Sequence, residues 1–180
     1  LCPICREGAL VRHLENLTCV ACRAMYPLQD GVPILLPSIE QQNAAAHAFG
    51  NRHVSPEELQ TTYNRVYEHD DLMGTDLDKT YDRATKEMLL AFAEPLAGKR
   101  LLDLGTGVGN LWQYVPAGVE GYALDVSFTG VRKAAQRYPN LTASVSLAEY
   151  LPYPDGLFDV ALAADTIEHV CSPQCGLQEV

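Results

Sequence analysis

Basic residues are scarce in this chain. Its 180 residues include 13 Lys and Arg against 23 Asp and Glu, for a formal net charge of −10 at pH 7. Acidic side chains outnumber basic ones in residues 1–40, 41–95 and 96–180 alike. Because no basic stripe with interleaved aromatic residues is present, the charge argues against nucleic acid as a direct partner.

Long apolar runs and the common hydrolase signatures are also absent. No apolar run approaches the length of a membrane span, and no secretory signal peptide is visible. We therefore expect a cytoplasmic protein that does not bind membranes. The sequence contains no P-loop, no Ser/His/Asp elbow and no paired-carboxylate pattern, whereas its apolar content of 47% is enough for a core.

A glycine-rich turn between two acids is the most informative pattern. Residues 101–110 read LLDLGTGVGN, and Asp125 follows twenty positions after Gly105, at the end of the apolar run GYALD. A strand, a glycine turn and a second strand ending in an acid form the layout of a nucleotide-type cofactor site. Gly105, Gly107 and Gly109 let the backbone approach a ligand closely. Asp125 can accept hydrogen bonds from both hydroxyls of a ribose.

The details of this turn disfavour a dinucleotide cofactor. In the G-x-G-x-x-G pattern the helix N-terminus receives a pyrophosphate, but here the third glycine comes one residue early. Asp103, just before the turn, would repel a pyrophosphate and can hold an ammonium group. S-adenosylmethionine fits better, because it has an adenosine, no phosphate, and a cationic sulfonium and amine.

This block resembles motif I of the class I S-adenosylmethionine-dependent methyltransferases. Residues 151–170, LPYPDGLFDVALAADTIEHV, resemble the region around that family's fourth strand, so the resemblance covers residues from about 85 to 180. It implies a Rossmann-like α/β sheet with the cofactor at the carboxyl ends of strands one and four. The cofactor-binding residues that it implies are Asp103, Gly105, Thr106, Gly107, Gly109, Asp125, Val126, Leu147, Ala148 and Asp165.

Contacts to the adenine are the weak point of the resemblance. The family usually has an aspartate for the adenine amino group five residues before Pro152, where this chain has Leu147. Backbone groups of Leu147 and Ala148 then remain to hold the adenine, which predicts weaker cofactor binding. Tyr63 and Tyr67 precede the first strand, where helices of the family often close over the cofactor. They either touch the ligand or pack on the sheet.

Asp165, Glu168 and His169 follow the predicted fourth strand and are candidates for chemistry. In quinone-biosynthesis O-methyltransferases a similar carboxylate-x-x-Glu-His group is associated with a divalent metal near the substrate oxygen. If the acceptor must lose a proton early, His169 or Asp165 is the predicted catalytic base. The alternative is that this stretch only begins the next helix. We interpret the nearby Cys171 and Cys175 as incidental.

Two C-x-x-C knuckles lie at the N-terminus. Cys2 and Cys5 are separated by thirteen residues from Cys19 and Cys22. Four thiolates at this spacing can converge on one ion, which predicts a structural zinc site. Disulfides are the first alternative, and a cytosolic setting disfavours them. A rubredoxin-like iron site is the second.

The residues around the knuckles favour zinc. Iron knuckles of this kind usually have glycine after the second cysteine, where this chain has Arg6 and Arg23. Asp30 and Gly31 predict a small hairpin. Residues 1–37 resemble the small zinc-binding activator proteins that partner RNA- and protein-modifying methyltransferases, and some bacterial rRNA guanine methyltransferases carry a similar module. A segment this short depends on its metal for folding.

Helical patterns connect the two motif regions. Residues 55–58, Ser-Pro-Glu-Glu, predict an N-cap with a capping box and a helix to about His69. A second helix is predicted from about Asp76 until Pro95 stops it. Residues 38–50 are interpreted as a linker or a loose helix.

Strand and helix patterns alternate from residue 100, which implies right-handed βαβ crossovers and a parallel sheet. The predicted strands are residues 100–104, 120–124, 141–145 and 158–163. The predicted domains are a zinc-binding module at 1–37, a helical connector at 38–95 and a Rossmann-like domain at 96–180.

Three functions remain open from the sequence. The first is a methyltransferase acting on a small molecule, with the zinc module helping to form the acceptor side. The second is an rRNA or tRNA methyltransferase whose module contacts RNA, and the third is a zinc- and cofactor-binding protein without catalysis. The resemblance implies seven strands, but only four are predicted. We therefore expect weak cofactor binding, no turnover, and self-association through the open edge of the fourth strand.

Overall fold

A small antiparallel sheet forms the N-terminal part of the protein. The computed structural model describes residues 1–38, 40, 55–69 and 76–180. The first four strands pair in sequence order, and they are β1 (Leu10–Arg12), β2 (Asn16–Cys19), β3 (Met25–Gln29) and β4 (Val32–Pro33). Asp30 and Gly31 have φ values of 50° and 80°, the left-handed conformation that a tight hairpin turn requires. The hairpin predicted at these two residues is confirmed.

The interior of this module is built around two of its cysteines. Cys2, Cys19, Tyr26 and Leu35 are buried together, and Leu10 and Leu17 pack against them. This cluster is small, which agrees with the expectation that a segment of this size needs a further source of stability.

Two helices precede the main sheet. Helix α1 spans Pro56–Glu68, and Ser55 caps it as predicted: the Ser55 Oγ accepts from the Glu58 N–H, and the Ser55 N–H donates to Glu58 Oε2. Helix α2 spans Asp76–Ala93. The interpretation of residues 38–50 as a linker or a loose helix falls almost entirely outside the described residues.

A four-stranded parallel sheet makes up the C-terminal part. Its strands are β5 (Arg100–Leu104), β6 (Glu120–Asp125), β7 (Thr142–Val145) and β8 (Val160–Leu162), in the spatial order β7-β6-β5-β8. Helix α3 (Phe128–Arg137) connects β6 to β7, and helix α4 (Pro173–Glu179) follows β8. The strands lie where they were predicted, with ends that differ by up to two residues.

The strand order decides where a ligand can bind. Strand β5 pairs with β6 on one side and with β8 on the other. The sheet is therefore extended on both sides of β5, and the strand order reverses there. The crevice at the carboxyl ends of such strands is the usual binding position in open α/β sheets. The sequence-based expectation that the first and fourth strands are neighbours is therefore confirmed.

The chain leaving the N-terminal module covers one edge of this sheet. Ile34 forms a parallel bridge with Val145, and the Leu35 N–H donates to the Val145 carbonyl at 2.8 Å. Val32 and Val131 are buried with Val145 in one cluster. Covering an edge strand satisfies its backbone groups and blocks unwanted pairing. This contact was not predicted from the sequence.

None of the helices in the described part of the chain combines the length and apolar character needed to cross a membrane.

Strand β8 lies at the opposite edge, where no described strand pairs with its outer side. The Asp159 N–H points inward to Arg100 O, so the alternate N–H groups of Val160 and Leu162 point outward. Self-association through this edge stays a prediction: sedimentation should show dimers or larger species that grow with protein concentration. Val160→Pro removes one outward N–H and should reduce them. A parent protein that stays monomeric at all concentrations would contradict the prediction.

Candidate functional site

The glycine turn after β5 is held tightly against β6. The N–H groups of Gly105 and Thr106 both donate to the Leu124 carbonyl at 2.9 Å. Gly105 has a φ of 77°, and a Cβ there would come within 2.2 Å of the Thr166 Oγ1. Both facts require glycine at this position. The turn therefore brings bare backbone to the carboxyl edge of the sheet.

Asp125 ends β6 and is clamped by backbone donors. Its Oδ2 accepts from the Gly107 N–H at 2.9 Å, and its Oδ1 accepts from the Ser127 N–H at 2.8 Å. The residue is 7% exposed, and burial raises the pKa of this carboxyl, although the backbone N–H groups of Ser127, Gly107 and Val126 oppose the shift. Each carboxylate oxygen keeps a further acceptor position. The residue is thus oriented to receive hydroxyl groups from a ligand.

Asp103, in β5, is the second buried acid of the site. It is 2% exposed, and its Oδ2 accepts from the Thr106 hydroxyl at 2.6 Å. Burial raises the pKa of Asp103 to about 6, the Thr106 hydrogen bond and the nearby Lys86 lower it, and Asp125 adds to the increase. The indole N–H of Trp112 also lowers this pKa, and a further cation at the carboxylate would favour its ionised form.

Lys86 of helix α2 is a site residue that sequence reasoning missed. Its ammonium group pairs with Asp82 one turn earlier on the helix, and the residue is only 7% exposed. Both side chains line a cavity together with Asp103, Thr106 and the glycine turn. Lysine is rarely buried unless it is paired. In the sequence, Lys86 is one lysine of an amphipathic helix, and its position in the helical pattern does not indicate contact with the sheet.

Two cavities meet at the glycine turn. The first has about 540 Å³ of empty space, including space open to solvent, and the second has about 730 Å³ on the same measure. Tyr67, Gly105 and Asp165 line both of them. The first cavity also contains Asp125, Val126, Leu147, Ala148 and His169, and the second contains Asp103, Thr106 and Gly107. All but one of the predicted cofactor residues therefore line one continuous crevice.

Gly109 is the exception. It has a φ of 84°, and a Cβ there would lie 3.2 Å from the Ala134 Cβ and 3.1 Å from the Tyr138 ring. It thus faces helix α3 and lines neither of the two cavities. Its glycine permits close packing of the turn on that helix.

Helix α1 forms the roof of the first cavity. Asn64 Oδ1 accepts from the Ser127 hydroxyl at 2.8 Å and from the Thr129 N–H at 3.1 Å, and Gln60 Nε2 donates to the Val126 carbonyl at 3.2 Å. These polar contacts fix the helix over the end of β6. Long-range pairing of this kind has no signature in the sequence.

Tyr63 and Tyr67 project from this roof into the cavity. Their rings stack with centroids 6.0 Å apart, and the Tyr67 hydroxyl lies 2.7 Å from the position that a Gly107 Cβ would occupy. Burial raises the pKa of both phenols. The sequence left open whether these rings touch a ligand or pack on the sheet. In the structure both rings line the first cavity.

Asp165, Thr166 and His169 form the far wall. Asp165 is exposed and has a φ of 52°, a strained conformation that is frequent at functional sites. His169 is also exposed and meets the Tyr63 ring edge-on at 6.0 Å. In the described part of the chain, Asp165, Glu168 and His169 do not bring their ligand atoms together as a metal site would.

The four N-terminal cysteines do converge. Cys2 Sγ lies 3.7 Å from Cys22 Sγ, Cys5 Sγ lies 3.6 Å from Cys19 Sγ, and all four sulfurs fall within 4.8 Å of one another. Tetrahedral zinc with Zn–S bonds of about 2.3 Å needs sulfurs roughly 3.8 Å apart. None of the cysteines is in a disulfide. The cluster therefore has the geometry of a single-ion site.

Neighbouring groups shift the pKa values of these thiols in opposite directions. The backbone N–H groups of Glu7 and Gly8 lower the pKa of the Cys5 thiol to about 6, whereas burial and hydrogen bonds with the other sulfurs raise the pKa of the Cys22 thiol. The buried Tyr26 hydroxyl lies 3.0 Å from Cys2 Sγ. Hydrogen bonds to ligand atoms of this kind orient metal ligands and tune their basicity.

Comparison with known proteins agrees with this architecture. Residues 102–180 match the family described as methyltransferase domain. The demethylmenaquinone methyltransferase of Paenarthrobacter aurescens is 25% identical over 126 residues, which cover 69% of this chain and 50% of that protein. A UPF0434 protein of Nitrosospira multiformis is 46% identical over 37 residues, which cover 20% of this chain and 61% of that protein.

Among solved structures, a complex between the Haloferax volcanii Trm112 methyltransferase activator and the putative methyltransferase matches with a TM-score of 0.59 and 21% identity. The match covers 68% of this chain and 54% of that chain. Our chain spans roughly half the length of the curated methyltransferases it matches. Residues 102–180 of this protein are thus similar to a methyltransferase domain, and the chain has the mixed α/β methyltransferase fold, with a four-cysteine cluster before it.

Proposed function

We propose that this protein is an S-adenosylmethionine-dependent methyltransferase that acts on a small molecule. The observation that carries the proposal is the pair of buried carboxylates, Asp103 and Asp125, on either side of the glycine turn. Two connected cavities start from this pair. One has an apolar wall suited to a flat ring, and the other holds buried charges of both signs. A dinucleotide pyrophosphate would meet the carboxylate of Asp103 at the turn, so the donor set disfavours it.

The first cavity has the groups that an adenosine needs. Asp125 can accept from the two ribose hydroxyls, because each oxygen holds only one backbone donor. Leu147 and Ala148 are 5% and 6% exposed and offer an apolar surface to the adenine. The family's usual aspartate is absent at Leu147, so base recognition rests on apolar contact and backbone groups.

The second cavity fits the amino-acid end of the cofactor. Asp103 would hold the ammonium group, and Lys86 would hold the carboxylate. Both charges are nearly excluded from water, which strengthens such pairs. Asp82 keeps the ammonium of Lys86 neutralised before the ligand arrives, so the site can be built without an unpaired buried cation.

The reaction itself requires little from the protein beyond position. S-adenosylmethionine supplies an electrophilic methyl group on a positively charged sulfur. Asp165 and His169 lie at the mouth shared with Tyr63, where an acceptor would stand. Alignment of an acceptor atom about 3 Å from the methyl carbon provides most of the rate enhancement in such a displacement. If the acceptor must lose a proton early, His169 or Asp165 is the proposed base.

A small-molecule acceptor is supported by charge. The net charge of −10 disfavours RNA. Several curated relatives are demethylmenaquinone methyltransferases, which supports an acceptor of low molecular weight without identifying it.

The four-cysteine cluster is assigned to structural zinc as part of the same proposal. Cys2, Cys5, Cys19 and Cys22 supply four thiolates and leave no open coordination position, as in structural zinc sites. Their sulfurs join two knuckles whose own hydrophobic cluster is small. Metal binding and folding of residues 1–37 are therefore coupled.

Asp125→Ala tests the cofactor assignment. The variant loses two charge-assisted hydrogen bonds to the ribose, which should cost roughly 1.5–3 kcal/mol, or about 10- to 150-fold in the dissociation constant for S-adenosylmethionine. Isothermal titration calorimetry measures this constant directly. Asp155→Ala, at an exposed acid of the same domain, is the matched control. Equal affinities for Asp125→Ala and the parent protein would refute the assignment.

The raised pKa of Asp103 predicts a pH dependence. Below about pH 6 the carboxyl is protonated and cannot pair with an ammonium group, so affinity for S-adenosylmethionine should fall about tenfold from pH 7 to pH 5. The Asp103→Asn variant should bind S-adenosylmethionine weakly and should lose the part of the pH dependence that comes from the Asp103 carboxyl. A parent affinity independent of pH across this interval would rule out the proposed ammonium contact.

Gly8→Ala tests the metal site. A Cβ at Gly8 would lie 2.1 Å from Cys19 Sγ, so the substitution displaces a ligand sulfur. Elemental analysis should find close to one zinc per parent chain and little in this variant. Glu7→Ala, at the exposed neighbour, should keep its zinc. Iron in the parent protein, or full zinc occupancy in Gly8→Ala, would contradict the assignment.

A further inference from the structure

One wall of the cofactor cavity is a short segment that follows β7. Ser146, Leu147, Ala148 and Glu149 all line the cavity. They belong to no helix or strand, so their positions depend on contacts made by their neighbours. Some of those contacts come from the same domain, where the Ser146 N–H donates to the Asp125 carbonyl at 3.0 Å and Glu149 Oε1 accepts from the Ser172 N–H at 2.7 Å. Others come from the N-terminal module.

The module holds this segment at both ends. Before it, the Leu35 N–H donates to the Val145 carbonyl at 2.8 Å, and the Ser146 hydroxyl lies 3.4 Å from the Leu35 carbonyl. After it, Arg6 Nη1 donates to the Leu151 carbonyl at 3.4 Å. The wall segment, residues 146–149, therefore lies between two contacts with residues 1–38.

Arg6 forms a three-part contact at the second attachment. Its guanidinium pairs with Glu179 Oε2 at 2.5 Å, and the same oxygen accepts from the Leu151 N–H at 2.9 Å. Glu179 ends helix α4, and the side chains of Arg6 and Glu179 are 38% and 19% exposed. An isolated surface pair would contribute little. Here the pair also satisfies both backbone groups of Leu151, which makes it a geometric constraint.

The cysteine knuckle determines where Arg6 points. Arg6 has a φ of 61°, and its N–H donates to the Cys2 carbonyl at 2.9 Å. Arg23 stands at the same place in the second knuckle, with a φ of 65° and an N–H that donates to the Cys19 carbonyl at 3.1 Å. Arg23 is exposed, and within the described residues its side chain has no ion pair. The two arginines differ in one respect, which is contact with the second domain.

We infer that Arg6 is a positioning residue for the cofactor cavity. Through Leu151 and Glu179 it holds the wall formed by residues 146–149, so that folding of the four-cysteine module controls how well the cavity is shaped for its ligand. The affinity part of this inference rests on the proposed function, since it concerns S-adenosylmethionine. The structural part concerns the mobility of the wall and needs no ligand.

The experiment compares Arg6→Ala with Arg23→Ala in the full chain. Both variants keep a residue with a Cβ at the same positive φ of a knuckle, so they share any local effect on metal binding, which elemental analysis checks. Hydrogen exchange without cofactor should show faster exchange in residues 145–152 for Arg6→Ala only. Titration should show S-adenosylmethionine binding weakened about three- to tenfold for Arg6→Ala and unchanged for Arg23→Ala.

Two further variants separate positioning from folding. Glu179→Gln removes the negative charge of the pair from the side remote from the knuckle and should reproduce part of the effects of Arg6→Ala with full metal content. Arg6→Lys keeps the charge and should restore part of the affinity. If residues 145–152 exchange alike in Arg6→Ala, Glu179→Gln and Arg23→Ala, the inference is wrong. If exchange changes as expected but the parent protein does not bind S-adenosylmethionine, the proposed function fails while the positioning role of Arg6 stands.

Discussion

The arrangement of the site depends on one constraint: two carboxylates must be buried side by side at the carboxyl ends of adjacent parallel strands. Burial opposes ionisation, and the pKa values of Asp103 and Asp125 are both raised by it. Backbone N–H groups from Gly107 and Ser127 offset part of that cost at Asp125. Only a turn with bare backbone can deliver the N–H of Gly107 there, so the glycines and the acids require each other.

The other polar and charged groups of the site come from helices far away in the sequence. Lys86 comes from helix α2 and faces Asp103 across the second cavity. Helix α1 closes the first cavity through Asn64 and its hydrogen bonds to the start of α3. A crevice lined by buried charged groups of both signs suits a ligand that carries its own ammonium and carboxylate groups. The proposed cofactor has both.

The N-terminal module is integrated with the larger sheet. It covers the β7 edge through Ile34 and Leu35, and it contacts the end of α4 through Arg6. An edge strand that is covered within the same chain is unavailable for pairing with other chains. Metal-dependent folding of a small module would then affect a cavity to which it contributes no lining residue, because the wall segment 146–149 lies between two of the module's contacts with the larger domain.

The sequence by itself determined the local features. Spacing was enough for the two knuckles, the Asp30-Gly31 turn, the capping box of α1 and the strand-turn-acid pattern around Gly105 and Asp125, because each depends on residues close together in the chain. Only the tertiary structure decided which distant groups meet. Lys86, the roof formed by Asn64 and the Arg6–Glu179 contact have no periodic signature, since each depends on how separate elements pack. Gly109 shows the same limit in reverse: its pattern matched a ligand turn, but in the folded protein a Cβ at this position would face helix α3.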